Sequence, residues 1–174
     1  PLGIGGFINI SGIPLDVFIS GGTGSDSLNL EMPDGKESRY ESASCNIVAV
    51  AGLNAALKVI DPVFCMRWEK ELSDYLIDQL SSMKKIKVYL PGNQKQHVGI
   101  VSFVVQGFSS EDIGTILDED FDIAVRTGYH CAPFIHKYLR DTGNQGTVRV
   151  GLGQFSTMND IDKLIAGLKE IIDE

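Results

Sequence analysis

Val125-Arg126-Thr127-Gly128-Tyr129-His130-Cys131-Ala132-Pro133 is the stretch from which the rest of the chain is read. The run from Asp122 to Val125 predicts a short strand, Gly128 supplies a turn, and Pro133 opens a helix through its preset φ. A strand-to-helix turn of this kind delivers His130 and Cys131 to the edge of a sheet, where the pockets of α/β proteins gather. Arg126 and His130 set cationic or ionisable nitrogen near the thiol, the setting that favours a thiolate nucleophile. The same residues also read as an inert buried thiol beside a surface charge, because free cysteine is among the most buried residue types.

Working outward, Ser109 and Asp112 stand at capping-box spacing and predict a helix through Leu117, with Asp118-Glu119-Asp120 as a solvated corner behind it. Downstream come a short helix from Pro133 to Leu139, a loop from Thr142 to Gly146, and a strand from Thr147 to Leu152. Thr157 with Asp160 then caps a final helix whose apolar face is Ile161, Leu164, Ile165, Leu168 and Ile171. Further upstream, Ile86 to Leu90 and Val98 to Val105 flank Pro91-Gly92-Asn93 and predict antiparallel strands, with His97 a surface residue in the connection. Phe64, Trp68, Leu72, Tyr75 or Leu76, Leu80 and Met83 recur at helical spacing from Val63 to Met83. Helices alternating with strands from Val63 onward predict a two-layer α/β domain.

Asp61-Pro62 breaks the chain direction, so the expected division is residues 1–61 and 62–174. Asn46 to Ile60 is apolar on nearly every face, and a helix of that kind needs protein on more than one side. An N-terminal half or a partner subunit would supply it. Ser44 ahead of it reads as a helix cap. Phe7-Ile8-Asn9-Ile10 reads as a strand. Gly21-Gly22-Thr23-Gly24-Ser25 reads either as an anion-binding loop or as a flexible surface loop.

With 174 residues, 43% hydrophobic and 22% charged, the chain has an ordinary globular composition and room for a core. A net charge of −8 and the lack of a dense basic run argue against nucleic acid and anionic membrane as partners. No apolar run reaches the length of a membrane span and no signal-peptide pattern opens the chain, so a cytoplasmic location is expected. The 3 cysteines, Cys45, Cys65 and Cys131, are too widely spaced for a disulfide framework or a zinc motif, and no metal site is expected.

Val125 to Pro133, together with Gly146-Thr147-Val148-Arg149-Val150-Gly151-Leu152-Gly153-Gln154-Phe155-Ser156-Thr157 and the helix Ile161 to Ile172, resembles the C-terminal part of the cysteine desulfurases. These are pyridoxal-phosphate (PLP) enzymes of the class V aminotransferase family. The resemblance implies an aspartate-aminotransferase-like fold, with residues 1–61 a remnant of the large, PLP-binding domain and residues 62–174 the small α/β domain. It implies that Cys131 takes sulfur from L-cysteine as a persulfide, leaving alanine, and that Arg149 holds the substrate carboxylate. Arg126 would aid substrate binding and His130 would tune the thiol or manage a proton, although a strand-end salt bridge and a structural hydrogen bond are their plain alternatives.

Arg39-Tyr40-Glu41-Ser42-Ala43-Ser44-Cys45-Asn46 is similar to the family segment whose hydroxyl reaches the PLP phosphate of the neighbouring subunit. Ser44 occupies that position, and Thr23 in the glycine loop is a second cofactor-binding candidate. A homodimer and a sulfur-acceptor protein, serving iron–sulfur or thiolated products, are the implied partners. His136-Lys137 lacks the serine of the family's S-x-H-K cofactor motif, so Lys137 reads as a solvated helix lysine. The expected PLP lysine lies ahead of Pro1, which makes the full-length parent the enzyme and this chain alone inactive. A non-catalytic interaction domain of the same fold, or a relative acting on selenocysteine or another amino acid, are the alternatives.

Overall fold

The computed structural model describes residues 2–22, 24, 28–35, 38–93, 96–139 and 142–173. The backbone forms two compact units, Pro1–Ile60 and Asp61–Glu174.

The first unit holds one helix, α1 (Ile47–Val59). Its N-cap is Asn46, whose side chain accepts from Ala49 N at 3.1 Å, so the cap falls two residues beyond Ser44. Ala49 is the buried residue of α1, while Val48 and Val59 stand 83% and 84% exposed. The expected strand at Phe7 to Ile10 is absent among the described residues. A strand needs a neighbour to satisfy its amides and carbonyls, and this segment has no ladder partner there. Side-chain contacts nearby are few: Phe7 meets Tyr40 edge-on at 5.8 Å, and the Tyr40 hydroxyl donates to Leu15 O at 2.9 Å.

The second unit runs α2 (Pro62–Ser81), β1 (Ile86–Tyr89), β2 (Ile100–Val105), α3 (Ser110–Phe121), α4 (Pro133–Leu139), β3 (Val148–Gly151) and α5 (Met158–Ile171). Asp61 caps α2 by accepting from Val63 N and Phe64 N, each at 3.0 Å, and Pro62 sits at the first turn, where its missing N–H costs nothing. The strands make one antiparallel sheet in the order β1-β2-β3. Phe103 in the central strand is paired to Val88 on one side and Val148 on the other.

Helices α2, α3 and α5 lay their apolar stripes on one face of this sheet. Leu72, Leu76 and Leu80 of α2, Ile113 and Leu117 of α3, and Ile161, Leu164, Ile165 and Leu168 of α5 close over Val101, Phe103, Val105 and Val148. Burying each such side chain stabilises by roughly 1.5–3 kcal/mol. Capping boxes start α3 at Ser109/Asp112 and α5 at Thr157/Asp160. The Tyr75 hydroxyl binds Asp162 at 2.6 Å and ties α2 to α5. That bond, more than burial, raises the Tyr75 pKa above its ordinary value.

Three local expectations give way. Helix α3 continues to Phe121, so Asp118-Glu119-Asp120 forms its last turn and not a corner. Asp122 is consumed as the C-cap, in the left-handed region at φ 55°, and the strand expected from Asp122 to Val125 shrinks to one bridge, Arg126 with Arg149. His97 is half-buried, with Nδ1 shielded and unpartnered, where a surface histidine was expected. Among the described residues no single helix is long and apolar enough to cross a membrane.

Candidate active site

The candidate site is assembled where α3, the 126–132 segment and β3 meet. Val148 packs in the core below the sheet, so its neighbour Arg149, opposite Ser102, points to the face away from the helices. Arg126 joins the same sheet edge through a reciprocal pair of hydrogen bonds, Arg126 N to Arg149 O at 3.1 Å and Arg149 N to Arg126 O at 2.7 Å. Residues opposite each other in an antiparallel bridge project to the same side, so the two arginine side chains leave the same face, and no acidic partner neutralises either one among the described residues. Like charges in that relation are destabilising. An anion placed between them reverses the sign, and a carboxylate matches the planar donor fork of arginine.

Beyond Arg126 the chain turns back on itself. Ala132 N donates to Tyr129 O at 2.8 Å, closing a turn whose central residues are His130 and Cys131. Both hold positive φ, 50° and 60°, the pattern of a type I′ turn that ordinarily calls for Asn-Gly. Two successive non-glycine residues there store strain on the order of 1–3 kcal/mol each, and strained backbone of this kind clusters at functional sites. The turn presents an exposed thiol: Cys131 is open to solvent, which removes the buried-thiol alternative. The Arg126 Nη2 donor lies 3.7 Å from Cys131 Sγ.

His130 turns the other way. Its Nε2 is 3.1 Å from the Thr147 carbonyl and 2.9 Å from the Thr147 hydroxyl. A carbonyl only accepts, so Nε2 carries the proton and donates, and the neutral ring leaves Nδ1 as a bare acceptor. That Nδ1 is shielded and has no hydrogen-bond partner. Burial first, then the Arg149 charge, hold the His130 pKa below its usual 6.5; Arg126 and His136 add to this and the Thr147 carbonyl opposes it. The backbone bond to Thr147 is the structural alternative raised for His130, and it coexists with an unpaired basic nitrogen.

Thr147, 2% exposed, joins the site through His130, although nothing local distinguishes it from any strand-opening threonine. His136 is likewise buried, with Nε2 at 3.3 Å from Tyr129 O. Lys137 is exposed and lies 5.4 Å over the Phe134 ring, as a solvated lysine would. Cys65 is buried against Gln154 at 3.4 Å, while Cys45 is exposed.

Of the cofactor candidates, Ser44 belongs to the first unit and Thr23 lies outside the described residues. Ala43 N donates to Gly22 O at 2.7 Å, with Ala43 left-handed at φ 70°, so Gly22 is stitched to the loop bearing Ser44. The Ser44 side chain is exposed at that junction. Small residues and an exposed hydroxyl brought together in this way suit a phosphate group.

Residues 7–164 match the family model described as aminotransferase class-V. The chain belongs to that family. It is 30% identical over 136 residues to cysteine desulfurases of Yersinia pestis and Yersinia pseudotuberculosis, a stretch covering 76% of this chain and 32% of theirs. The chain thus spans about a third of the length of those relatives. Among solved structures it is similar to the apo cysteine desulfurase of Thermococcus onnurineus NA1, with 31% identity and a TM-score of 0.71 over 78% of this chain and 34% of that one. The Escherichia coli cysteine desulfurase CsdA, in its S-sulfonic acid form, is 21% identical with a TM-score of 0.70 over 91% of this chain and 39% of that one, and shows the fold alone. The architecture is that of the aspartate-aminotransferase-like PLP enzymes, as the resemblance implies.

Proposed function

We propose that this chain serves as the C-terminal part of a cysteine desulfurase that removes sulfur from L-cysteine, leaving alanine and a persulfide on Cys131. The observation that carries this reading is the pair of unneutralised arginines, Arg126 and Arg149, bridged across two chain segments, with Arg126 beside an exposed thiol. A substrate with a carboxylate and a sulfur a few bonds apart satisfies both. Arg149 binds the carboxylate and fixes the substrate's orientation; Arg126 shares that charge and lends positive potential to Cys131 Sγ. Sγ attacks the substrate sulfur, an S–S bond forms as the C–S bond breaks, and the carbon keeps the electron pair and takes a proton to give alanine. His130, next to Cys131 along the chain and fixed by its Nε2 bond to Thr147, is the candidate to tune the thiol or manage a proton.

In this reading residues 1–61 are a remnant of the large domain and residues 62–174 the small domain. The stitched loops at Gly22 and Ser44 fit the phosphate end of PLP, which, when bound, supplies the electron sink for breaking the C–S bond. L-cysteine is the substrate, a homodimer the working form, and a cytoplasmic sulfur-acceptor protein the recipient.

The test uses the full-length parent. Cys131→Ser should abolish persulfide formation while PLP absorbance is retained. Arg149→Ala should raise KM for cysteine on the order of 10–100-fold, the loss of a charge-assisted bond. Normal sulfur release by Cys131→Ser enzyme would overturn the nucleophile assignment.

A further inference from the structure

We infer that Ser110, the first residue of α3, is a positioning residue for Cys131, acting through one hydroxyl shared between two backbone groups of the site. Its Oγ–H donates to Gln145 O at 3.0 Å, and the same oxygen accepts from Gly128 N at 3.2 Å. A hydroxyl has one proton and spare lone pairs, so both bonds form at once and neither role is left to choice. Ser110 is 3% exposed, which bars water from taking its place.

The group it grips is decisive for the thiol. Gly128, left-handed at φ 91°, sets the direction in which the chain enters the His130-Cys131 turn. Its carbonyl accepts from Thr147 N at 3.1 Å, so both polar groups of this residue are held. Packing closes around them: a Cβ at Gly114, one turn along α3, would overlap the Thr127 side chain, and a Cβ at Gly146 would overlap the Gly128 backbone. A strained turn persists only where its surroundings over-determine it. Ser110 adds a buried side-chain hydrogen bond to that constraint beside the Thr147 N bond, and the turn so held carries Cys131 Sγ 3.7 Å from Arg126 Nη2.

This inference rests on Cys131 being the working thiol, but its test does not use sulfur transfer, so the two fail separately. Alkylation of this chain by iodoacetamide is followed by peptide mass at Cys131, with exposed Cys45 as the internal reference. Ser110→Thr and Ser110→Val are compared, since they share volume and differ in the hydroxyl alone. The Cys131/Cys45 rate ratio should fall about 3- to 10-fold in Ser110→Val relative to Ser110→Thr, the range expected from about one buried hydrogen bond. Exchange of the Gly128 amide should rise in the same variant. Ser110→Ala should behave as Ser110→Val does. Equal ratios in Ser110→Thr and Ser110→Val overturn the inference, and so does a lowered ratio with Gly128 exchange unchanged.

Discussion

Helices α1 and α5 are nearly equal in length, 13 and 14 residues, and each carries a lysine in its last turn. Their fates differ. In α5 the apolar residues Ile161, Leu164, Ile165 and Leu168 fall on one stripe and all are buried. In α1 apolar residues occur all round, and Ile47, Val48, Leu57 and Val59 remain exposed. A stripe can be covered by a single neighbouring layer, whereas an all-round apolar surface needs several. Placement of apolar residues, more than their number, therefore decides which part of this chain closes its own core.

The widest test of that contrast is hydrogen exchange on the chain kept dilute. Core amides of the second unit should be protected by several kcal/mol more than those of α1, and equal protection in both units would break the comparison. Phe103→Ala, which empties a fully buried site, should destabilise the second unit by about 3–5 kcal/mol. The matching change Leu57→Ala, at a side chain already 64% exposed, should shift stability by less than about 0.5 kcal/mol. Sedimentation at several concentrations should show self-association that weakens when Val48 and Leu57 are replaced by Gln, because α1 leaves apolar surface uncovered. A strictly monomeric chain that binds no apolar dye would count against it.

His130 sharpens the comparison through pH. Its folded pKa is depressed by burial and by Arg149, with Arg126 and His136 adding positive charge, so the unfolded chain takes up the proton more readily. Stability of the second unit should therefore decline as pH falls through the ordinary histidine range near 6.5, and His130→Gln should flatten that decline. An unchanged pH profile in thermal melts of His130→Gln would remove this role. A further effect is local: Thr157→Ala, which removes the α5 cap, should cost about 1 kcal/mol by denaturant titration.

Features that depend on neighbours along the chain are legible in the residues alone. Spacing of Leu72, Leu76 and Leu80 made α2, serine or threonine three residues before aspartate made the two capping boxes, and Pro91-Gly92 separated two strands that pair antiparallel. Arg126, His130 and Cys131 were legible as a group because one short turn carries them. Folding alone sets Arg126 opposite Arg149, brings the Thr147 carbonyl to His130 Nε2, and lets Ser110 hold Gly128. Each of these joins residues 17 or more positions apart, counting 18 for Ser110 to Gly128. Local propensity carries no term for such contacts; sheet register and helix packing create them. The same reason explains the lost strand from Asp122 to Val125: β-branched residues favoured it, but α3 ran on and used Asp122 as its cap. It explains α1 as well, since an apolar helix announces that it will be covered without specifying by what.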